Sequence, residues 1–248
     1  MHRIILIYKE VIIVKILAID TSSKICSVAV LDDNEVLIEK HIDDSTTHSQ
    51  KLMPMINDIL KTCKLDLSDF DLFACSIGPG SFTGVRIGVS TVKAFCDVTN
   101  IPVASVSSLE GLAYNSLDSN FKESIICSLI DAKNDNVYCG IFKKENNDFI
   151  QLEDLCAKNI NEILDILDKY SSSSILFVGD GAVCHKYAIC QKLSKTTFIE
   201  KHLNDQTASS IGKAGFNKYK QGLAGDSNSI TPLYLRKSQA ERALEGEK

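Results

Sequence analysis

Residues Ile77–Gly88 read IGPGSFTGVRIG, between an apolar run, Leu72–Ile77, and an apolar-periodic stretch that extends to about Val98. The order is strand, glycine turn, helix. Gly78 precedes Pro79, which pushes its backbone away from the helical region, while Gly80 is free to take positive φ and admit a close approach of backbone or ligand. Ser81 or Thr83 is the expected N-cap. Val85, Val89, Val92 and Cys96 fall at helical spacing, and Gly80, Gly84 and Gly88 form one stripe without side chains. Such a stripe lets a neighbour pack against helix backbone, and the adjoining helix N-terminus presents free N–H groups suited to a phosphate or carboxylate. A Walker loop is excluded because no GxxxxGK followed by Ser or Thr occurs here, and the dinucleotide fingerprint would need glycine where Thr83 stands. Two readings stay open, a tightly packed strand-to-helix turn and an anion site.

The start of the chain narrows the choice. Ile16–Asp20 is an apolar strand ending in aspartate, followed by the polar turn Thr21-Ser22-Ser23-Lys24 and a second strand, Ile25–Leu31. An aspartate and hydroxyls in a tight turn at strand ends can hold a metal-bound phosphate, and they can equally be a turn and nothing more. Asp20, Thr21, Gly78, Gly80 and Ser81 are therefore the candidate nucleotide or phosphate contacts. Farther along, Glu35–Ile42 reads as a third strand. The segment His48–Cys63 reads as a helix with Leu52, Met55, Ile56, Ile59, Leu60 and Cys63 on one apolar stripe. Pro54 places the helix start near Lys51 or a kink at the proline itself. Met53 falls off the stripe and is the first candidate for a partner contact. His48 reads as a cap or surface group rather than a metal ligand or base.

Pro102–Val106 reads as a strand and Ser107–Tyr114 as a helix capped by Ser107 or Ser108, with Asn115–Glu123 as a polar linker. Beyond it the pattern restarts. Ser124–Ile130 ends at Asp131, a polar turn Ala132–Asn136 follows, and Val137–Phe142 makes a second hairpin strand. Ile175–Val178 with Gly179-Asp180-Gly181 then echoes Leu72–Ile77 with Gly78-Pro79-Gly80. Asp131 follows Asp20 by 111 residues and Gly179 follows Gly78 by 101, a period that means a duplicated domain, since solenoid repeats run at roughly 20–50 residues. Asn159–Tyr170, Asp180–Leu193 and Gln206–Gln221 read as helices, the last with Ala208, Ile211, Ala214 and Gly215 on one face. Pro232–Arg236 reads as extended and Lys237–Lys248 as a solvated helix. The expected organisation is residues 15–115, 116–230 and a C-terminal segment 231–248. Residues 1–14 are set apart as an extension, and translation of the native chain is expected to start at Val14.

The segments ILAIDTSSKICSVAV, HSQKLMPMI and IGPGSFTGVRIG together resemble the bacterial TsaB (YeaZ) family in order and spacing. DAKNDNVYCGIF (Asp131–Phe142) and PLYLR (Pro232–Arg236) extend the resemblance over about Lys15–Glu241. It implies an α/β, actin-like fold of the sugar kinase and heat-shock ATPase type, duplicated into two domains with mixed sheets flanked by helices. It also implies a non-catalytic role in placing threonylcarbamoyladenosine in tRNAs decoding ANN codons, as binder and activator of a TsaD-like catalytic subunit. A TsaE-like ATPase joins that complex, and tRNA is met only through it. The chain alone is expected to be a homodimer with no cofactor of its own, ATP and magnesium entering at the level of the complex. The related catalytic family carries an HxxxH metal pair, and no HxxxH occurs in this sequence. The competing reading is an active enzyme of the same fold, an ATPase or kinase or a metalloprotease-like protein, with Asp20, Asp131 and Asp180 converging on magnesium. For a binder, the small and adaptable positions Met53, Gly84, Gly88 and Thr91 are the expected partner interface, unless the glycines pack against the chain's own sheet.

Composition sets further bounds. The 248 residues are 44% hydrophobic, enough for one large core or two smaller ones. Nine cysteines without metal-type spacing argue for free thiols in a reducing compartment, so a cytoplasmic protein is expected. A net charge of −5 without a basic run argues against tight RNA binding by the chain alone. The apolar start Met1–Val14 is interrupted by Lys9 and Glu10 and falls short of the ~18 residues a membrane span needs.

Overall fold

The computed structural model describes residues 13–43, 48–119, 121 and 125–236. The expected extension up to residue 12 and the charged tail Lys237–Lys248 lie outside the described residues.

Two mixed sheets carry the fold. In the first, β1 (Lys15–Asp20) pairs antiparallel with β2 (Ile25–Asp32), which pairs antiparallel with β3 (Glu35–Asp43). On its other side β1 runs parallel to β4 (Leu72–Ser76), and β4 parallel to β5 (Val103–Val106), giving the order β3-β2-β1-β4-β5. The central strands are covered on both faces, so Ile16–Ile19 and Leu72–Cys75 are continuous apolar runs without alternation. In the second sheet β6 (Ile125–Asp131) pairs antiparallel with β7 (Asn136–Glu145), which pairs with β8 (Asp148–Gln151) and also with β9 (Cys156–Asn159). On the other side β6 runs parallel to β10 (Ile175–Val178) and β10 parallel to β11 (Thr196–Phe198). The order β8-β7-β6-β10-β11 repeats that of the first sheet strand for strand, which is the duplication the Asp20/Asp131 and Gly78/Gly179 echoes anticipate.

The outer face of the first sheet is covered by α1 (His48–Cys63) and α2 (Phe82–Thr99), with Leu52, Ile56, Ile59, Val85, Val89 and Val92 in one core with Leu17, Val28 and Phe73. That of the second is covered by α4 (Ile160–Leu167), α5 (Asp180–Cys184) and α6 (Lys186–Lys192). Between the sheets lie α3 (Ser108–Tyr114) and α7 (Ala208–Lys220), and they are exchanged. Leu109, Leu112 and Ala113 of α3 pack on Ile126, Ile130, Leu176 and Val178 of the second sheet. Ala208, Ile211 and Ala214 of α7 pack on Ile16, Ala18, Ala29 and Ala74 of the first. The boundary expected at residue 115 therefore does not separate two self-contained bodies, because each half lends its last helix to the other's sheet. A Glu110–Lys218 ion pair at 2.9 Å and a Tyr114–Asn217 hydrogen bond at 2.9 Å join the two helices.

Local expectations hold with four adjustments. Helix α1 starts at His48, so Pro54 lies inside it, on the exposed side where a carbonyl that loses its N–H partner is solvated. Ser81 caps α2 and Ser107 caps α3. The segment expected as a polar linker begins with a 3-10 turn, Asn115–Asp118, whose Asn115 is buried and donates to the carbonyls of Leu203 and Asp205 at 2.8 Å each. Asp180–Leu193 is broken at His185 into α5 and α6. Strands β8, β9 and β11 have no counterpart in the sequence reading. After α7 the chain returns to the first half, where Gly225 bridges Val103 and the Leu233 N–H donates to the Ile77 carbonyl at 2.7 Å.

Candidate functional site: a self-filled glycine stripe beside an open cleft

Strand β1 delivers Asp20 to the end of the sheet, and the turn after it folds back over α2. The Thr21 hydroxyl donates to the Gly84 carbonyl at 2.8 Å, and the Ser81 N–H donates to the Ser22 carbonyl at 2.7 Å. A Cβ on Gly80 would collide with the Ser22 carbonyl, one on Gly84 with the Thr21 carbonyl, and one on Gly88 with the Thr21 hydroxyl. The glycine stripe is thus occupied by this chain's own turn. That corrects the assignment of Gly84 and Gly88 to a partner interface, since both are buried and the space before them is taken. The positive φ expected at Gly80 is found at Gly78, at +96°, and at its counterpart Gly179, at +102°. At both points a parallel strand must turn sharply into a helix, which favours a residue without Cβ.

The five candidate phosphate contacts are divided by this closure. Gly80 and Ser81 line the cleft described below, but the Ser81 hydroxyl already accepts from the Gly84 N–H at 3.2 Å as the cap of α2. Thr21 is 1% exposed and committed to Gly84, and Gly78 faces the Leu233 carbonyl. Asp20, also 1% exposed, accepts at Oδ1 from the Ser22 N–H at 2.8 Å and the Ser22 hydroxyl at 2.6 Å, while Oδ2 has no hydrogen-bond partner within ordinary distance among the described residues. Burial, with a small push from the Glu39 charge, raises its carboxyl to about 6 against the pull of the Ser22 and Ser76 hydroxyls and the Ser22 N–H.

The cleft itself, about 780 Å³, opens between the halves. One wall is the turn Ser22–Ile25 with the N-terminal ends of α1 and α2. The other is the β6–β7 turn with Asp131 and Lys133, the Gly179-Asp180 corner and the loop Asn204–Gln206. Contacts cross or brace it. The Gln206 amide donates to the Ser22 hydroxyl at 3.2 Å, Asn204 Oδ1 accepts from the Gly179 N–H at 2.7 Å, and His48 Nε2 lies 2.8 Å from the Ser23 carbonyl. Partial burial pushes the Asp131 carboxyl up, but hydrogen bonds from the Lys133 backbone and ammonium, the latter at 2.6 Å, outweigh it and hold the group below its ordinary value. Asp180 is shifted the other way by burial while accepting from the Asp131 N–H at 2.9 Å. Asp20 is not among the lining residues, so the three aspartates do not converge on one ion. Among the described residues no group of three or more His, Cys, Asp or Glu is placed to hold a metal. The sequence reading missed Lys133, Asn204 and Gln206 as cleft residues, and the polar turn of the second hairpin was the one signal that marked Lys133.

Outside the cleft, Met53 stands on the solvent side of α1 at 49% exposed, and Thr91 is half-buried on the neighbouring α2. The Thr91 hydroxyl donates to the Ile87 carbonyl and that of Ser90 to the Arg86 carbonyl, at 2.8 and 2.7 Å, so these hydroxyls are already satisfied within the helix. Phe82 of the same helix stacks on Tyr234 with centroids 4.6 Å apart, and Tyr234 accepts from Arg86 Nε at 2.7 Å. Among the described residues no helix is long and apolar enough to cross a membrane.

Comparison with known proteins bears on this arrangement. The family model described as TsaD, tRNA N6-adenosine threonylcarbamoyltransferase, matches residues 43–244. A Bacillus subtilis protein, "tRNA threonylcarbamoyladenosine biosynthesis protein TsaB", is 32% identical over 227 residues, which are 91% of this chain and 96% of that protein. The chain belongs to the TsaB (YeaZ) family. The Haemophilus influenzae TsaB protein is 27% identical, over 93% of this chain and 97% of that one. Among solved structures, YeaZ from Pseudomonas aeruginosa superposes with a TM-score of 0.75 at 23% identity, covering 90% of this chain and all of that one, so the fold is shared.

Proposed function

We propose that this chain serves threonylcarbamoyladenosine formation on tRNA as a binding subunit, docking and activating a TsaD-like catalytic partner, and that it performs no phosphoryl transfer itself. One observation carries the reading. The turn that would have to cradle a phosphate is closed on α2 by the Thr21–Gly84 and Ser22–Ser81 hydrogen bonds, and its aspartate is sealed behind the cleft. Phosphoryl transfer needs cations and carboxylates aimed at the transferred group. Here Asp131 is engaged by Lys133, and Asp20 faces protein.

The docking surface in this reading is the outer face of α1 and α2, with Met53 and Thr91 as contacts. A flexible thioether adapts to a neighbour, and helical hydroxyls satisfied internally lose nothing when water is excluded. Gly84 and Gly88 act from behind, by letting the turn set the position of α2. The same face serves self-association when the catalytic subunit is missing. A TsaE-like ATPase and tRNA join at the level of the complex, consistent with the acidic balance of this chain.

The test is threonylcarbamoyl transfer to tRNA by the TsaD-like enzyme of the same organism, with and without this chain, beside phosphate release from ATP by this chain alone. The proposal expects transfer to rise on addition and no release by the isolated chain. Steady release by contaminant-free protein, abolished by Lys133→Ala in the cleft, overturns it in favour of an active enzyme.

A further inference from the structure

Three thiols lie together on the face of the second sheet that packs under α4, away from the cleft and from α1 and α2. Cys127 on β6 and Cys139 on β7 are buried at 0% and 2% exposed, and Cys156 on β9 is half-buried at the edge of the same core. Cys139 and Cys156 are direct register partners in the antiparallel β7–β9 pair. Cys127 Sγ is 4.0 Å from Cys139 Sγ, but Cys127 pairs in register with Ile141, so it stands diagonally to Cys139.

Register decides which pair can close. Directly opposed residues of an antiparallel pair have Cα atoms about 4.5 or 5.5 Å apart, both inside the roughly 4.4–6.8 Å that a disulfide spans. Diagonal neighbours stand about 7–8 Å apart, beyond that reach without backbone movement. Access points to the same pair, since Cys156 is partly exposed and Cys139 stands opposite it on the neighbouring strand.

We propose that Cys139 and Cys156 are a reversible dithiol–disulfide pair, closed by a low-molecular-weight disulfide such as oxidised glutathione. The half-buried Cys156, whose thiol the neighbouring Cys139 and burial hold above its ordinary value, gives up its proton as it attacks one sulfur of the small disulfide, whose S–S bond breaks and releases one small thiol. Cys139 attacks Cys156 Sγ in the mixed disulfide, the S–S bond to the small group breaks, and the Cys139 proton passes to that leaving sulfur as the second small thiol is expelled. Two electrons pass from the protein to the small disulfide, which leaves as two thiols. The product clips β9 covalently to β7, its one pairing partner among the described residues, and encloses the β8 hairpin. Cys127 stays a thiol, and the exposed Cys184 and Cys190 on α5 and α6 carry mixed disulfides at most.

Tryptic cleavage after lysine places the three thiols in separate peptides, 123–133, 134–143 and 145–158. The folded full-length protein is incubated with oxidised glutathione, free thiols are alkylated, and the non-reduced digest is mapped by mass spectrometry. The expected result is a 134–143/145–158 cross-link about 2 Da lighter than the two thiol peptides together, reversed by dithiothreitol. Cys127→Ser keeps it and Cys156→Ser, a change at a half-exposed site, removes it. A 123–133/134–143 cross-link, glutathione confined to Cys184 and Cys190, or the same cross-link at no higher yield than in urea-unfolded protein overturns the proposal.

Discussion

The Thr21 side chain and Gly88 share one volume. The hydroxyl that donates to the Gly84 carbonyl at 2.8 Å sits where a Cβ on Gly88 would have to go. Strand β1, its turn and helix α2 are thereby locked as one unit, and the shape of the cleft wall follows from that lock.

Gly88→Leu is therefore a stability variant. Overpacking a close contact costs about 1–3 kcal/mol, and here the neighbour is a buried hydroxyl with no free direction in which to move. Calorimetry should show a clearly lowered Tm, with Gly88→Ala intermediate. A Leu variant as stable as the parent would mean that the turn yields easily and that the stripe is available to other molecules.

Asp20 should leave a signature in the pH dependence of stability. Its carboxyl titrates at 3.8 in an ordinary environment and at about 6 when buried in the folded chain. Between those values the folded state keeps a proton that the unfolded state has lost. The stability is thus fully present below about pH 4 and declines as pH rises through about 6, by about 3 kcal/mol. Asp20→Asn cannot titrate, so its stability relative to the parent should improve by that order between acid and neutral pH. Parallel denaturation curves across this range would contradict the burial argument.

Lys218 tests the layer between the sheets. It meets Glu110 at 2.9 Å and donates to the Ser105 carbonyl at 3.0 Å, while burial pushes the Glu110 carboxyl above its ordinary value. Lys218→Met strands that carboxyl without its partner at a cost of about 3 kcal/mol. Adding Glu110→Gln should return part of the loss, because the uncompensated charge is then gone. Strictly additive effects in urea unfolding would show the pair to be uncoupled.

The residues disclosed the two sheets more fully than the relation between them. Continuous apolar runs such as Leu72–Ser76 and the helical stripe from Val85 to Cys96 are local patterns, and they mark their elements closely. Strand β9, CAKN, is too short and too polar to show alternation, and β11 has three residues. The stripe Ala208, Ile211, Ala214 announces a buried helix face but carries no label for the sheet it covers, so the exchange of α3 and α7 was not legible. In the same way three glycines in a row announce a close neighbour without naming it. Thr21, read as a candidate ligand contact, and Ser22 beside it are that neighbour.

The central claim is that the outer face of α1 and α2 docks the TsaD-like subunit, and titration calorimetry of Met53→Asp against that subunit tests it most directly. Met53 is half-exposed and outside the core, so the variant should keep the parent's Tm. Burying an unpaired carboxylate in a helix–helix contact should weaken binding at least about tenfold, equivalent to about 1.4 kcal/mol. Unchanged affinity with unchanged stability would contradict the account and move the docking surface off α1.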